Sequence, residues 1–328
     1  MGGRQCVGID VSASEITVAI EGQVGRTTLA NDAAGHKQLV RQLTRGKGIA
    51  RVCLEATGIY HLDLALALHR APRVEVAVVN PAAVRDFGRA LMQRSKTDGV
   101  DADVLLAYAE RMPFVAWQPP APEILDLRAI VRRMGALTLT RTQERNRLHA
   151  AGHCAELTEV IAWDIEAHLE HLAQSLERLE QQALALVRTH AELARRFERL
   201  VSVRGIGTTS ALRILAELAV LPADMSARQW VAHAGLDPRQ LESGTSLHKP
   251  ARISKKGNRH LRAALYMPAL VAAREEPHVR GFYQHRIARG LKPLQALVAI
   301  ERKLLHAIHG MWLRDTNFDG PKFYVDAA

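Results

Sequence analysis

Four acidic residues in the first third of the chain have the types and spacing to do metal chemistry. Asp98 and Asp101 stand three apart in the stretch Lys96-Thr97-Asp98-Gly99-Val100-Asp101-Ala102-Asp103. A helix starting near Asp98 projects both from one face of its first turn, with Asp103 pointing elsewhere. Such a pair is either a solvated helix start, favoured there by the helix dipole, or part of a cation site. Asp10 and Glu55 each close a short apolar run, Gln5–Asp10 and Ile49–Glu55. Four carboxylates brought together are costly unless a cation neutralises them, and an all-oxygen set selects Mg²⁺ or Mn²⁺. Two such ions about 4 Å apart clamp the entering and leaving oxygens of a phosphodiester.

Positioning these acids takes elements in a particular order. Gln5–Asp10, Ile16–Ile20 and Arg26–Leu29 read as a three-strand meander, and Ala34–Arg45 has helical apolar spacing. Ile49–Glu55 and Val74–Val79 read as buried strands, separated by a helix over His61–His69 and followed by two more helices, the second reaching about Arg111. The order β-β-β-α-β-α-β-α, with acids ending the first and fourth strands and opening a late helix, is the plan of a ribonuclease H-like α/β fold. Sites gather at strand ends in such sheets.

After the break Gln118-Pro119-Pro120-Ala121-Pro122 the chain reads as helical. Arg128, Arg132, Arg133, Arg141, Arg145 and Arg147 form a basic stretch that is either a solvated face or a phosphate contact. Leu169, Leu172, Leu176, Leu179, Ala183, Leu186, His190, Leu193, Phe197 and Leu200 alternate in steps of three and four, predicting a coiled coil within one chain or between subunits, with His190 setting register. Gly205-Ile206-Gly207 has the spacing of a helix-hairpin-helix turn, whose backbone N–H groups face phosphate; the alternative is a plain tight turn. Lys249, Arg252, Lys255, Lys256, Arg259 and Arg262 lie in a segment, Ser243 to Arg274, that contains no acid. Such density makes a nucleic-acid surface. Ser243, beside Gly244, reads on its own as a turn residue.

Charge agrees with this division. The chain of 328 residues carries a net charge of +10; residues 1–200 hold 25 Lys+Arg against 24 Asp+Glu, and 201–328 hold 19 against 10. A basic C-terminal part beside a neutral N-terminal one implies a polyanion partner, nucleic acid rather than membrane. No apolar run is long enough to span a bilayer, and the start MGGRQCVGID lacks a secretory pattern, so the expected location is the cytoplasm, at the nucleoid. Cys6, Cys53 and Cys154 lack metal-ligand spacing and read as reduced thiols. Phosphate-loop nucleotide chemistry is excluded at Gly205-Ile206-Gly207, since no Lys-Ser/Thr follows at the right distance.

Gly8-Ile9-Asp10, Leu54-Glu55-Ala56-Thr57-Gly58, Lys96-Thr97-Asp98-Gly99-Val100-Asp101-Ala102, Gly205-Ile206-Gly207, Glu242-Ser243-Gly244 and Arg262-Ala263-Ala264-Leu265-Tyr266-Met267-Pro268-Ala269 together resemble the insertion-sequence one-ten family of DEDD transposases. The resemblance spans nearly the whole chain and implies a RuvC-like N-terminal domain and a C-terminal transposase domain; with the leucine spacing, the chain divides into a RuvC-like domain over 1–155, a coiled coil over 156–200 and a mainly helical transposase domain over 201–328. It implies Mg²⁺ held by Asp10, Glu55, Asp98 and Asp101, and Ser243 as a nucleophile forming a phosphoserine link to DNA. The implied partners are double-stranded target and donor DNA, a structured guide RNA encoded by the element, and further copies of the chain in a dimer or dimer of dimers. Asp103 departs from the family's pattern, in which that position is neutral or basic.

Two other functions stay open on the residues alone. A metal-dependent structure-specific nuclease or Holliday-junction resolvase would hydrolyse with water and leave Ser243 a bystander. A non-catalytic nucleic-acid-binding protein would use the acids structurally.

Overall fold

Strong alternation of apolar residues with chain-reversing loops builds a mixed sheet first. In the computed structural model, which describes residues 3–56, 58–92, 97–153, 159–243 and 247–325, the strands β1 (Arg4–Val11), β2 (Glu15–Ile20) and β3 (Thr27–Ala30) form the meander. Helix α1 (Ala33–Thr44), capped by Asp32, leads to β4 (Ile49–Glu55), α2 (Leu62–His69), β5 (Val74–Val79), α3 (Pro81–Ala90) and α4 (Asp98–Arg111). The sheet order is β3-β2-β1-β4-β5, with β4 parallel to both β1 and β5 and the meander antiparallel. This is compatible with the ribonuclease H-like plan read from the sequence.

Successive side chains of a strand point to opposite faces. Val7, Ile9, Val52 and Leu54 lie in a core that also holds Leu39 and Leu43 of α1 and Leu64 and Leu68 of α2. Cys53 faces the other way, into a cluster with Val84 of α3 and Val104, Leu105 and Ala109 of α4. The two faces are thus covered by different helix pairs.

The chain forms two compact units, Met1–Pro119 and Pro120–Ala328. Their junction lies in the Pro-rich break, whereas the sequence reading put the first boundary at 155. The physical reason is α5 (Pro122–Ala151), which packs along α6 (Glu159–Thr189) and against α8 (Thr208–Leu218). Residues from 120 onward therefore join the helical unit.

The predicted helical seam takes the within-chain alternative and is corrected at His190. Its seam is internal: Leu172 and Ala183 are buried and Leu176, Leu179 and Leu186 partly so, with α6 packed along α5 of the same chain. It also breaks at His190, whose backbone is extended (φ −120°, ψ 106°) and whose Nδ1 meets the Leu186 carbonyl at 2.9 Å. His190 ends one helix and precedes α7 (Ala191–Val201), so it sets no register within a continuous seam.

Beyond α8 come α9 (Ala227–His233), the two-stranded hairpin of β6 (Pro238–Ser243) and β7 (Leu247–Ile253), and then α10 (Arg259–Glu275). Helices α11 (Pro277–Ala288), α12 (Pro293–Arg314) and α13 (Gly320–Phe323) complete the unit. Its core runs through Leu212 and Leu215 of α8, Leu261 and Leu265 of α10, and Ile300, Leu304 and Ile308 of α12. Among the described residues no helix is long and apolar enough to cross a membrane.

Candidate active site and nucleic-acid surface

Strand parity aims the first two acids. Ile9 pairs with Leu54 in the parallel ladder, so Asp10 and Glu55 are the next residues of neighbouring strands, on the face opposite Ile9 and Leu54. That face is the one covered by α4. Along α4, Asp98, Asp101, Ala102 and Leu105 follow the i, i+3, i+4, i+7 stripe, and Ala102 and Leu105 are fully buried against the sheet. The same stripe that seats the helix carries Asp98 and Asp101 over the end of β1.

How close α4 comes depends on Gly8. A Cβ on that residue would lie 2.2 Å from the Leu106 nitrogen and 2.3 Å from the Ala102 carbonyl oxygen, both helix backbone atoms. Only a residue without a side chain lets helix and strand meet this tightly. The Thr97 hydroxyl caps the helix by accepting from Val100 N (3.3 Å).

The four carboxylates sense one another. Asp10 is half-buried and its carboxyl is pushed up to about 6, first by burial and then by the charges of Asp101, Asp98 and Glu55. Among the described residues, no three side chains are drawn into a closed coordination sphere. Charges near enough to raise Asp10 make this group a candidate site. An all-oxygen donor set whose own negative charge is unfavourable fits a divalent cation.

Asp103, the extra acid of the stretch, stands outside this group. Arg26, in the loop before β3, grips it in a two-pronged ion pair, with Nε–Oδ1 at 3.1 Å. The guanidinium also lies against Gly99. Asp103 is therefore neutralised by a partner that sequence spacing did not reveal.

In the helical unit, Ser243 is the last residue of β6 and pairs with Leu247, so it stands at the tip end of the hairpin. Gly244 lies outside the described residues, as do Lys96, Thr57 and Cys154; the side chains of Ser243 and Lys249 are also outside the description. The sequence reading had a turn within a helical domain here and missed the hairpin.

The root of the hairpin is fastened by a buried polar cluster. Ser254 Oγ donates to Asp237 Oδ1 at 2.5 Å across the two strand ends. Asn258 caps α10 by accepting from His260 N and Leu261 N, and its Nδ2 donates to Glu217 Oε2 at 2.6 Å. Glu217, in the last turn of α8 and 2 % exposed, also receives both prongs of Arg132 (2.8 and 3.1 Å) and an ion pair from Arg128 at 3.4 Å. Burial would raise this carboxyl, but Arg132, Arg128 and Asn258 more than offset it and hold it below its ordinary value. Two arginines of the basic stretch thus serve the interior. A lone acid in the apolar run Ala211–Val220 was the available signal for this cluster.

The phosphate-facing candidates divide the same way. Arg252, Lys255, Lys256 and Arg259 are exposed. Arg262 is half-buried and donates to the Ala234 carbonyl at 2.7 Å. Gly205 (φ +114°) sits where a Cβ would strike the backbone of Ala272, so it lets α10 close on the turn. Gly207 opens α8 with nothing near it, leaving that helix start accessible.

Two family models match the chain: the DEDD transposase model of IS110 over residues 7–151, and the transposase IS116/IS110/IS902 family over residues 197–284. The chain belongs to the IS110 family of DEDD transposases. It is similar to the pilin gene-inverting protein of Moraxella bovis, at 28 % identity over 81 % of each chain. It also resembles the IS110 insertion-element protein of Streptomyces coelicolor, 28 % identical over 49 % of this chain and 38 % of that one. The transposase of IS1328 from Yersinia enterocolitica is 24 % identical over 60 % of this chain and 64 % of its own. The family acts on DNA and implies dependence on a divalent metal, typically Mg²⁺. The first model covers all four acids, and the second covers Gly205, Ser243 and the basic segment.

Proposed function

We propose that this transposase cuts and rejoins DNA through a phosphoserine intermediate on Ser243. The first unit acts as the RuvC-like metal domain and the second as the transposase domain. The observation that carries the reading is Asp10 ringed by Glu55, Asp98 and Asp101, which supplies carboxylates for a cation beside a chain that also carries a family-matched Glu-Ser-Gly. A cation bound there supplies Lewis acidity to the scissile phosphate.

The Ser243 hydroxyl gives up its proton as its oxygen forms a bond to phosphorus, and the bridging P–O bond breaks to leave a strand with a free hydroxyl that takes up a proton. Attack by the hydroxyl of a second strand reverses these bonds and restores the serine. One phosphodiester is exchanged for another, so no nucleotide cofactor is needed. The similar Moraxella protein is named for gene inversion, which requires rejoining as well as cutting, and this supports exchange over hydrolysis. Following the family resemblance, an element-encoded structured RNA pairs with target and donor DNA, and the chain works as a dimer or dimer of dimers.

The test is a labelled DNA substrate incubated with protein, Mg²⁺ and guide RNA, then resolved on a denaturing gel. Wild type should give a protein-linked band, and Ser243→Ala should bind DNA, melt normally and give neither adduct nor exchange. Cleavage that survives in Ser243→Ala without any linked band would replace this mechanism with hydrolysis.

A further inference from the structure

One cavity of the helical unit takes no part in the chemistry above. It holds about 540 Å³ beside α12 and the segment leading into α13, and none of its lining residues belongs to the basic segment 249–262. Its wall carries Arg286 of α11, Arg302, Lys303, His306 and Arg314 of α12, and Lys322 of α13. Asp319 is the only acid among the described lining residues, and Lys322 already holds it at 2.9 Å.

Two of these cations, Arg286 and Lys303, are packed on rings. The Arg286 guanidinium lies 4.8 Å over Phe282, and the Lys303 ammonium lies 4.8 Å over Phe282 and 5.3 Å over Phe323. Ring faces make half-buried cations tolerable but do not neutralise them. The Nε atoms of Arg286 and Arg302 are buried and have no hydrogen-bond partner. Buried donors of that kind ordinarily find one, so these two guanidiniums, which line the cavity, are under-satisfied by the chain itself. Burial and then Arg286 push Lys303 below its ordinary value, and burial, Arg302, His309, Arg228 and Lys303 do the same to His306. An anion relieves this repulsion.

Size and shape narrow the anion. Ligand cavities of about 300–1,000 Å³ take whole small molecules, so one inorganic phosphate underfills this space. A nucleotide fills it, with its phosphate at the arginines and its base against Ala307, Met311 and Phe318 of the same wall. In a duplex the bases are stacked inside, so only an unpaired strand can offer a whole nucleotide to a concavity. We propose that this cavity receives a nucleotide of an unpaired nucleic-acid strand, its phosphate held by Arg286, Arg302 and Lys303. The inference rests on the reading of the chain as a nucleic-acid enzyme, and adds to it a second contact surface that selects unpaired strands.

Fluorescence anisotropy tests it, with labelled single-stranded DNA, single-stranded RNA and a DNA duplex, each titrated with the full chain over a range of salt. Arg302→Gln combined with Lys303→Gln should weaken single-strand binding about tenfold and reduce the slope of log affinity against log salt by about one to two. Arg314→Gln, at an exposed position, should weaken it by a smaller factor without endangering the fold, and Arg302→Lys with Lys303→Arg should restore binding. The duplex should respond instead to Lys255→Gln with Arg259→Gln. Of DNA and RNA, the strand that loses more affinity is the source of the nucleotide. If the cavity variants melt normally and bind single strands with wild-type affinity and slope, the inference is wrong. If wild type binds the duplex but no single strand, the inference is likewise wrong, whereas failure to bind any of the three removes the nucleic-acid reading itself.

Discussion

Asp10 and Glu217 are both withdrawn from solvent, one in each unit, and their surroundings shift them in opposite directions. Around Asp10 stand three more carboxylates, and its carboxyl rises to about 6. Around Glu217 stand two arginines and an asparagine, and its carboxyl falls. Glu217 has everything it needs from its own chain, and removing any member leaves a neighbour exposed to the cost of burial. Asp10 is surrounded by like charge that raises its carboxyl. A carboxylate held down by cations is architecture, and one raised by acidic neighbours is a candidate site.

Breaking the acidic group should have the largest effect. Asp98→Asn and Asp101→Asn are each expected to reduce strand cleavage to background while leaving DNA affinity within about twofold, measured by gel assay and anisotropy in Mg²⁺. Full cleavage in both variants, or in excess EDTA, would remove the cation from the mechanism.

Stability should separate the two clusters next. Glu217→Ala leaves Arg128, Arg132 and Asn258 facing a buried gap and is expected to cost about 3 kcal/mol, seen as a melting temperature lower by roughly 10 °C. Asp10→Asn should act in the opposite direction in EDTA, raising the melting temperature by relieving repulsion, and should lose the further rise that Mg²⁺ gives wild type. Equal losses from both variants would erase the distinction drawn here.

Gly8→Ala sharpens the comparison without touching an acid. The methyl group must push α4 off β1, at a cost of about 2 kcal/mol, and should weaken Mg²⁺ binding by calorimetry because Asp98 and Asp101 move with the helix. Unchanged metal affinity would mean that the acids do not depend on this contact.

The smallest expected effect is a pH dependence in the helical core. Burial pushes the Glu301 carboxyl of α12 up to about 7, against 4.5 in an unfolded chain, with Arg262 pulling the other way. A raised carboxyl favours folding below its unfolded value and loses that contribution as pH rises through about 7. Wild type should therefore lose a few degrees of melting temperature between pH 5 and 8, and Glu301→Gln should flatten that dependence. A pH profile identical in both proteins would contradict it.

Most of the sheet unit was legible because its signals are local. Apolar runs ending in Asp10 and Glu55 and the three-residue spacing of Asp98 and Asp101 translate directly into strand parity and one helix face. The β6–β7 hairpin was not legible, because Pro250 interrupts its second strand and the charged residues Arg239, Glu242, Lys249 and Arg252 give no clean alternation. The break at His190 was hidden because an extended residue between two helices leaves the three-and-four spacing of the leucines intact. Arg128 and Arg132 looked like the other arginines of α5, since the acid that engages them lies 85 residues away from Arg132. The role of Ser243 and the phosphate contacts await the experiments above.

The seating of α4 on Gly8 also sets a schedule. During synthesis β1 and β4 emerge first, bearing two carboxylates at neighbouring strand ends, and α4 must follow before the pair becomes a group of four. Contacts between segments distant in the chain form late because loop closure opposes them. A nascent or truncated chain that stops short of α4 therefore carries only two of the four carboxylates, and under the proposed mechanism it becomes competent only after its own sheet is roofed.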